Sequence, residues 1–369
     1  VKILSYRISR RLIPTDFREE LIKESLEMHL RGEDTSDCPL IQWGRMCVKR
    51  GDPWWYSCEG MEGEELETAL QARMRDVIDL YFSIKEKGYM DTPISVYFDD
   101  TGQIRLYDGF HRISIMTMLD VDPVLNVVIA KFDPDPHLRG EGDLGAGKRD
   151  FPLVESLRDI NSGDNSYHPI DDPRVSNFHV WRQDSQARLD LIRDYIIGET
   201  VLDVGCSEGF FSRALAKEGY KVTALDYGPK RIAITRYLST INNLELDYLW
   251  GNWEHEIQGR TWDTIIMLSI IHHLLLTEGP DTVREYLERL RGCCKRLILE
   301  TPLTSRDISW VNQPDGFKFT VEGMGEFLEE ALDMKLIHLF RIKGNNDLRE
   351  IEEEVKWMRR PIYVLEANT

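Results

Sequence analysis

Apolar residues in this chain keep two rhythms, and the switch between them divides it. Over 64–87, Leu66, Leu70, Met74, Val77 and Leu80 recur at three- and four-residue spacing, which predicts one long amphipathic helix. A helix over 17–31 precedes it, followed by a loop over 32–39. Alternation in 94–98 and 103–107, on either side of Asp99-Asp-Thr-Gly102, predicts a β-hairpin; a helix over 113–119 and a strand over 124–132 follow. Beyond residue 184 short β-branched runs alternate with helical periods. Strands are expected over 200–204, 221–226, 244–249, 262–271, 296–300, 334–340 and 361–366, with helices over 187–197, 210–218, 229–241, 278–291, 321–332 and 348–358. Apolar strands of this kind belong to a sheet covered on both faces, so an α/β, doubly wound domain is expected there, preceded by a small α+β domain.

The turn after the first of those strands holds the chemistry. Val201-Leu-Asp-Val-Gly-Cys-Ser-Glu-Gly209 runs from a strand into a glycine-framed turn that opens a helix. Gly205 and Gly209 leave the backbone bare at the helix N-terminus, where free N–H groups face outward and nothing blocks a polar ligand. The next strand ends on Asp226, a carboxylate placed to accept hydrogen bonds from both hydroxyls of a ribose. Loop and acid read as one nucleoside site. The dinucleotide fingerprint needs Gly-x-Gly-x-x-Gly, whereas this loop is Gly-x-x-x-Gly with Cys206 and Ser207 inside it.

From about residue 189 onward the sequence resembles the class I S-adenosylmethionine-dependent methyltransferases, whose first motif is an acid, a glycine, three residues and a second glycine, here Asp203, Gly205 and Gly209. The resemblance implies a Rossmann-like seven-stranded sheet closed by an antiparallel pair, with S-adenosylmethionine as cofactor. It also implies the donor contacts: Asp203, Gly205, Cys206 and Gly209 in the loop, Asp226 on the ribose with Tyr227 beside it, and Ser269 after the fourth strand. Gly251-Asn-Trp-Glu-His255 matches the segment that flanks the adenine, with Asn252 where an acid is usual and Trp253 next to it. His272 and His273 lie just past the carboxyl end of the fourth strand, where open α/β sheets place substrate. An imidazole there could take the proton of an acceptor hydroxyl, and Glu300 at the end of the fifth strand is a further candidate. The alternative for each histidine is a packing role under the loop.

Charge narrows the acceptor. The 46 basic and 64 acidic side chains give −18, spread as about −8 over residues 1–150 and about −10 beyond, so neither half offers a basic face to a phosphate backbone. Nucleic acid is disfavoured and a small-molecule methyl acceptor expected. The longest apolar run, 264–276, is broken by two histidines and too short for a bilayer, and the N-terminal residues lack the apolar core of a secretory signal. No membrane attachment and a cytoplasmic location are therefore expected. Six cysteines without Cys-x-x-Cys spacing argue for reduced, buried thiols and no structural metal.

In the first domain, Asp108-Gly-Phe-His-Arg112 joins the hairpin to a helix, and residues 61–133 resemble the ParB/sulfiredoxin-like superfamily. That resemblance implies a nucleotide phosphate held by Asp108, Gly109, His111 and Arg112, with ATP or ADP and Mg as the cofactors of a small-molecule kinase branch. The physics agrees, since side-chain donors and helix N–H groups converge there on one anion site. The alternative is that Asp108 caps the helix while His111 and Arg112 brace the hairpin. The aromatic run Trp54-Trp-Tyr56 is expected to pack this domain.

Domain limits are expected at 1–135, a linker and cofactor-covering segment at 136–183, and 184–369. Residues 134–150 are rich in Asp, Gly and Pro, and 161–173 continue the irregular stretch. Tyr167, Trp181 and Arg182 are candidates for covering the donor, Arg182 by pairing with its carboxylate as the segment 161–182 orders over it. The function expected is methyl transfer to a hydroxyl of a sugar or natural product. A bifunctional methyltransferase and kinase, or a methyltransferase carrying a nucleic-acid or protein recognition module, are the alternatives.

Overall fold

The computed structural model describes residues 5–51, 58, 60–89, 92–129, 150–302, 319–340 and 360–368. The aromatic run 54–56, most of the Pro- and Gly-rich linker, the substrate-side stretch 303–318 and the helix expected over 348–358 lie outside them. The chain forms two compact units, Val1–Phe151 with Thr240–Asn243, and Pro152–Ser239 with Leu244–Thr369.

The first unit is α+β. Strands β1 (Ser5–Ser9), β2 (Ile94–Phe98), β3 (Ile104–Asp108) and β4 (Val124–Ile129) form a four-stranded sheet in the order β1-β4-β2-β3. Helices α1 (Arg18–Leu30), α2 (Pro39–Arg50), α3 (Gly63–Lys87) and α4 (Phe110–Met118) complete it. In α3 the buried positions Leu70, Met74, Val77, Tyr81 and Ile84 keep the helical spacing expected. β1 and α2 have no counterpart in the sequence reading. β1 is a short strand whose antiparallel partner, β4, lies more than a hundred residues on, while α2 is signalled by Pro39 at its start and by Gly51 at φ 71° after its end.

The second unit begins earlier than expected. Pro152 opens it, so residues 152–183 are not a linker but carry α5 (Leu153–Asn161) and two short parallel strands, β5 (Asn165–Ser166) and β6 (His179–Val180). Then come α6 (Ser185–Ile192), β7 (Thr200–Val204), α7 (Phe210–Lys217), β8 (Lys221–Asp226), α8 (Pro229–Ile241), β9 (Asp247–Trp250), α9 (Trp253–Glu256) and β10 (Trp262–Leu268). The remainder is α10 (Ile271–Thr277), α11 (Gly279–Glu288), β11 (Cys294–Glu300), α12 (Val321–Leu332), β12 (Met334–Phe340) and β13 (Ile362–Ala367).

Seven strands pair in the order β12-β13-β11-β10-β7-β8-β9, all parallel except β13, which runs antiparallel to both neighbours. Successive strand residues enter two different hydrophobic clusters: Leu202, Ile265 and Leu297 one, Val201, Ile266 and Ile298 the other. Both faces are therefore covered, which is why these strands read as unbroken apolar runs. β7 and β10 flank the point where the strand order reverses, and their carboxyl ends open onto the crevice that such sheets use for ligands.

β10 is shorter than its apolar run. It stops at Leu268, Ser269 takes φ 67°, and Ile271 begins α10, so His272 and His273 stand on a helix rather than on a loop after a longer strand. The Ser269 N–H donates to the Glu300 carbonyl at 2.9 Å, holding the turn to the end of β11. All six cysteines are buried thiols without disulfides, and among the described residues no helix is long and apolar enough to cross a membrane and no group of acids, histidines and cysteines is placed to hold a metal.

Candidate active site

The glycine turn is built from backbone first. The N–H groups of Gly205 and Cys206 both donate to the Leu225 carbonyl, at 2.7 and 3.0 Å, tying the loop to the end of β8. Gly205 and Gly209 have φ 71° and 73°. A Cβ on Gly205 would lie 2.1 Å from Ile270 Cδ1, and one on Gly209 would lie 2.3 Å from Thr235 Cγ2, so glycine is required at each for conformation and for space. Ser207 takes φ 53° as well, with its N–H on Asp226 Oδ2 at 3.0 Å, while Gly228 N–H reaches Asp226 Oδ1 at 2.8 Å. Burial raises the Asp226 carboxyl above its ordinary range. Asp203 accepts the Ser212 hydroxyl at 2.5 Å and is pushed by burial up to about 6, so it braces α7 from beneath. The Cys206 side chain packs in the core near Thr235, and burial raises its thiol well above the usual value.

Around the ends of β8 and β9 the aromatic groups divide differently from the sequence expectation. Trp253 is 5% exposed and packs in the core edge-on to Tyr286, its indole N–H without a partner among the described residues. Asn252 sits at the start of α9, where its carbonyl accepts the N–H groups of His255 and Glu256. The open rings are Tyr227, 72% exposed, and Trp250, 63% exposed, joined by an indole N–H to the Tyr227 carbonyl at 3.1 Å. Sequence reasoning missed Trp250. Its signal was register: it lies opposite Asp226 across β8 and β9.

Glu208 links the loop to the segment before α6. Its carboxylate accepts the Asn161 amide at 2.8 Å, the Tyr167 N–H at 2.9 Å and the Ser207 hydroxyl at 2.8 Å. Burial alone would raise its carboxyl, but neighbouring His168 and these three donors hold it below the ordinary value. His168, stacked on Phe210 and bonded through Nδ1 to Ser185 Oγ at 2.7 Å, is kept neutral by burial, which pushes it down to about 3. Trp181 is exposed and meets Tyr167 edge-on.

Arg182 is buried in a cluster at the carboxyl ends of β10 and β11. It donates to both oxygens of Asp184, at 3.0 and 3.2 Å, and to Ser269 Oγ at 3.2 Å. Arg188, one turn along α6, donates to Asp184 at 2.7 Å and pairs with Glu300 Oε2. Arg360 reaches Ser269 Oγ at 3.0 Å and Glu300 Oε1 at 3.4 Å. Burial, with Arg182 close by, pushes Arg188 down to about 9. Glu300 is thus held on both oxygens by arginines. The i, i+4 spacing of Asp184 and Arg188 was visible in the sequence; their long-range partner Glu300 was not.

His272 and His273 stack with ring centroids 4.0 Å apart. His272 is buried with Nδ1 unpartnered among the described residues, and burial, with His273, Arg360 and Arg182 adding to it, pushes it down to about 2. His273 is exposed to solvent and is lowered by burial of part of its ring and by Arg360.

In the first unit, Gly109 takes φ 108° at the start of α4. Arg112 donates to the carbonyls of Thr92 and Pro93, at 3.2 and 3.0 Å, and pairs with Asp108 at 3.3 Å. Burial, with Arg73 beside it, pushes His111 down to about 4. The loop residues predicted to hold phosphate are therefore adjacent, with Arg112 bracing the hairpin.

Comparison with known proteins bears on the second unit. The family described as a methyltransferase domain matches residues 201–292. The O-antigen chain terminator bifunctional methyltransferase/kinase WbdD of Escherichia coli is 31% identical over 153 residues, 38% of this chain and 22% of its own. A ubiquinone biosynthesis O-methyltransferase of Azotobacter vinelandii is 32% identical over 106 residues, 27% of this chain and 45% of its own. The chain thus spans about a fifth to under half the length of these curated relatives. A solved structure of WbdD with the kinase inhibitor LY294002 aligns with TM-score 0.43 and 25% identity, covering 58% of this chain and 47% of that one. With the glycine turn, Asp226 and the sheet order in place, the match over 201–292 identifies a class I S-adenosylmethionine-dependent methyltransferase domain in the C-terminal unit.

Proposed function

We propose that the chain transfers a methyl group from S-adenosylmethionine to a hydroxyl of a small molecule, of the sugar or natural-product class. The observation that carries this reading is the convergence on one crevice of Asp226, the glycine turn and Arg182: Ile270 packs against Gly205, and the preceding residue, Ser269, holds the Arg182 guanidinium. Asp226 would take the ribose, the exposed Tyr227 and Trp250 the adenine, and Arg182 the donor's carboxylate.

Transfer is an in-line displacement: an oxygen–methyl bond forms as the sulfur–methyl bond breaks, leaving a neutral thioether. The protein gains most by fixing oxygen and methyl carbon at attack distance. The hydroxyl proton must also leave. His272, pushed down to about 2, is too weak a base to hold it at neutral pH, and Glu300 is occupied by Arg188 and Arg360. His273 is the exposed imidazole beside them and fits the proton-accepting role, with His272 fixing its ring. Titration calorimetry with S-adenosylmethionine tests the donor site: binding is expected, and its absence at millimolar ligand would overturn the reading. Methyl incorporation from labelled donor into pooled hydroxylated metabolites, rising with pH and lost in His273→Ala, tests the transfer.

A nucleotide-phosphate site at Asp108, Gly109, His111 and Arg112 is a second reading, favoured by the left-handed Gly109 at the start of α4 and by the kinase activity in the name of the Escherichia coli relative. Arg112 would exchange Asp108 for phosphate of ATP or ADP with Mg. Nucleotide binding that is equally weak in wild type and Arg112→Ala would leave only the bracing role.

A further inference from the structure

We propose that Ser269 is a positioning residue for methyl transfer: its hydroxyl acts on the donor without touching it, by fixing the Arg182 guanidinium so that this group meets the donor's carboxylate already aimed. The inference rests on the reading of Arg182 given above and names the group on which that contact depends.

Ser269 stands in a backbone conformation that is unfavourable for serine. It takes φ 67° between the end of β10 and the start of α10. Glycine enters this left-handed region without penalty, whereas a residue with a Cβ is held there only by its surroundings. The Ser269 N–H supplies one such hold, donating to the Glu300 carbonyl at 2.9 Å. That bond belongs to the backbone, and glycine would make it equally. What serine adds at this position is therefore the hydroxyl.

A hydroxyl has one hydrogen to donate and two lone pairs with which to accept. The Ser269 hydroxyl donates to Glu300 Oε2 at 3.2 Å and accepts from Arg182 Nη1 at 3.2 Å and from Arg360 Nη1 at 3.0 Å. All three directions are filled by charged side chains of the protein. A ligand touching this oxygen would have to displace one of them, so the hydroxyl reaches the donor through an arginine.

Arg182 is that arginine. Asp184 accepts it on both oxygens, at 3.0 and 3.2 Å, which fixes the edge formed by Nε and Nη2. Ser269 fixes Nη1, and the Tyr167 side chain bonds to the same guanidinium. The backbone is tied as well: the Arg182 N–H donates to the Tyr167 carbonyl at 2.9 Å, and the Arg182 carbonyl accepts the Ser185 hydroxyl at 2.6 Å. A mobile arginine loses rotamer freedom when it binds a carboxylate; one held at both edges has little left to lose. Ile270, the residue after Ser269, packs against Gly205, so one short turn both sets the guanidinium and touches the glycine loop.

Two ligands separate this role from a structural one. S-adenosylhomocysteine carries the carboxylate, and its decarboxylated analogue keeps every other group. In titration calorimetry on the full chain, Ser269→Ala is expected to weaken S-adenosylhomocysteine by about three- to tenfold, the value of one hydrogen bond, and to leave the analogue within about twofold of wild type. Unchanged binding of the analogue also shows that the variant folds. Ser269→Gly, which makes the turn without strain but lacks the hydroxyl, is expected to behave alike. In an Arg182→Gln background, Ser269→Ala is expected to add nothing. Wild-type affinity for S-adenosylhomocysteine in either serine variant, equal losses for the two ligands, or a loss that adds to that of Arg182→Gln would each overturn the proposal. Wild-type affinity in Arg182→Gln is a separate result: it removes the reading of Arg182 as the carboxylate's partner, and the proposal with it.

Discussion

The Glu208 carboxylate accepts the Tyr167 N–H at 2.9 Å, so the glycine turn and the segment before α6 form one hydrogen-bonded unit. Asn161 and Ser207 complete the same carboxylate. The segment before α6 is therefore held in place from the loop side. Glu208→Ala should release it, leaving three donors unpaired and costing about 2–3 kcal/mol. Hydrogen exchange checks this: protection over 161–182 should fall in the variant even in the absence of donor.

Both oxygens of Asp226, the residue proposed to take the ribose, accept backbone N–H groups, from Ser207 and Gly228. Asp226→Ala is expected to weaken S-adenosylmethionine by about ten- to a hundredfold, the value of hydrogen bonds to a charged acceptor. Calorimetry on the variant measures it, and an unchanged affinity would remove Asp226 from the ribose site.

The Gly205 clash is with a single side chain. Gly205→Ala should destabilise the second unit by about 1–3 kcal/mol, from overpacking against Ile270 and from φ 71°. Ile270→Ala in the same chain should recover the overpacking part and leave the backbone part. A double-mutant cycle by chemical denaturation reads the coupling directly.

Glu300 distinguishes a brace from a base. Glu300→Gln leaves Arg188 and Arg360 without their carboxylate and is expected to cost about 3–5 kcal/mol of stability. A variant that melts like wild type while losing only turnover would instead assign Glu300 to proton transfer.

Stability should fall as pH drops from 7.5 to 6. His111, His168 and His272 are held to about 4, 3 and 2 in the fold, so over this window the unfolded chain takes up protons that the folded one does not. Each contributes roughly 1 kcal/mol of that fall, from the ordinary histidine value near 6.5. Below pH 6 the sign is opposed: Asp203, raised to about 6, and Asp226, also raised, bind protons in the fold before they do in the unfolded chain. Denaturant titrations should show the fall above pH 6 smaller in His168→Gln by one histidine's share, about 1 kcal/mol.

What could be read from the sequence was what depends on neighbours in the chain. The glycine turn and Asp226 were legible because backbone freedom and strand ends are local properties. The end of β10 was not, since Ser269 adopts a left-handed backbone without being glycine and the apolar run continues past it. Leu153 and Leu157 kept a helical spacing that marks α5, but the Gly- and Asp-rich stretch before them masked it. Trp253 and Trp250 differ by three residues and read alike; only their register and packing put one in the core and the other in the open. The burial of Arg188 depended on Glu300, more than a hundred residues away.

β13 has an effect on how the second unit is assembled. It follows β12 in the chain yet is inserted between β12 and β11. While residues 362–367 are still being made, β12 has no strand to join, and β11 presents a bare apolar edge. A nascent or clipped chain lacking that segment is therefore a sticky species, for which chaperone capture and self-association compete.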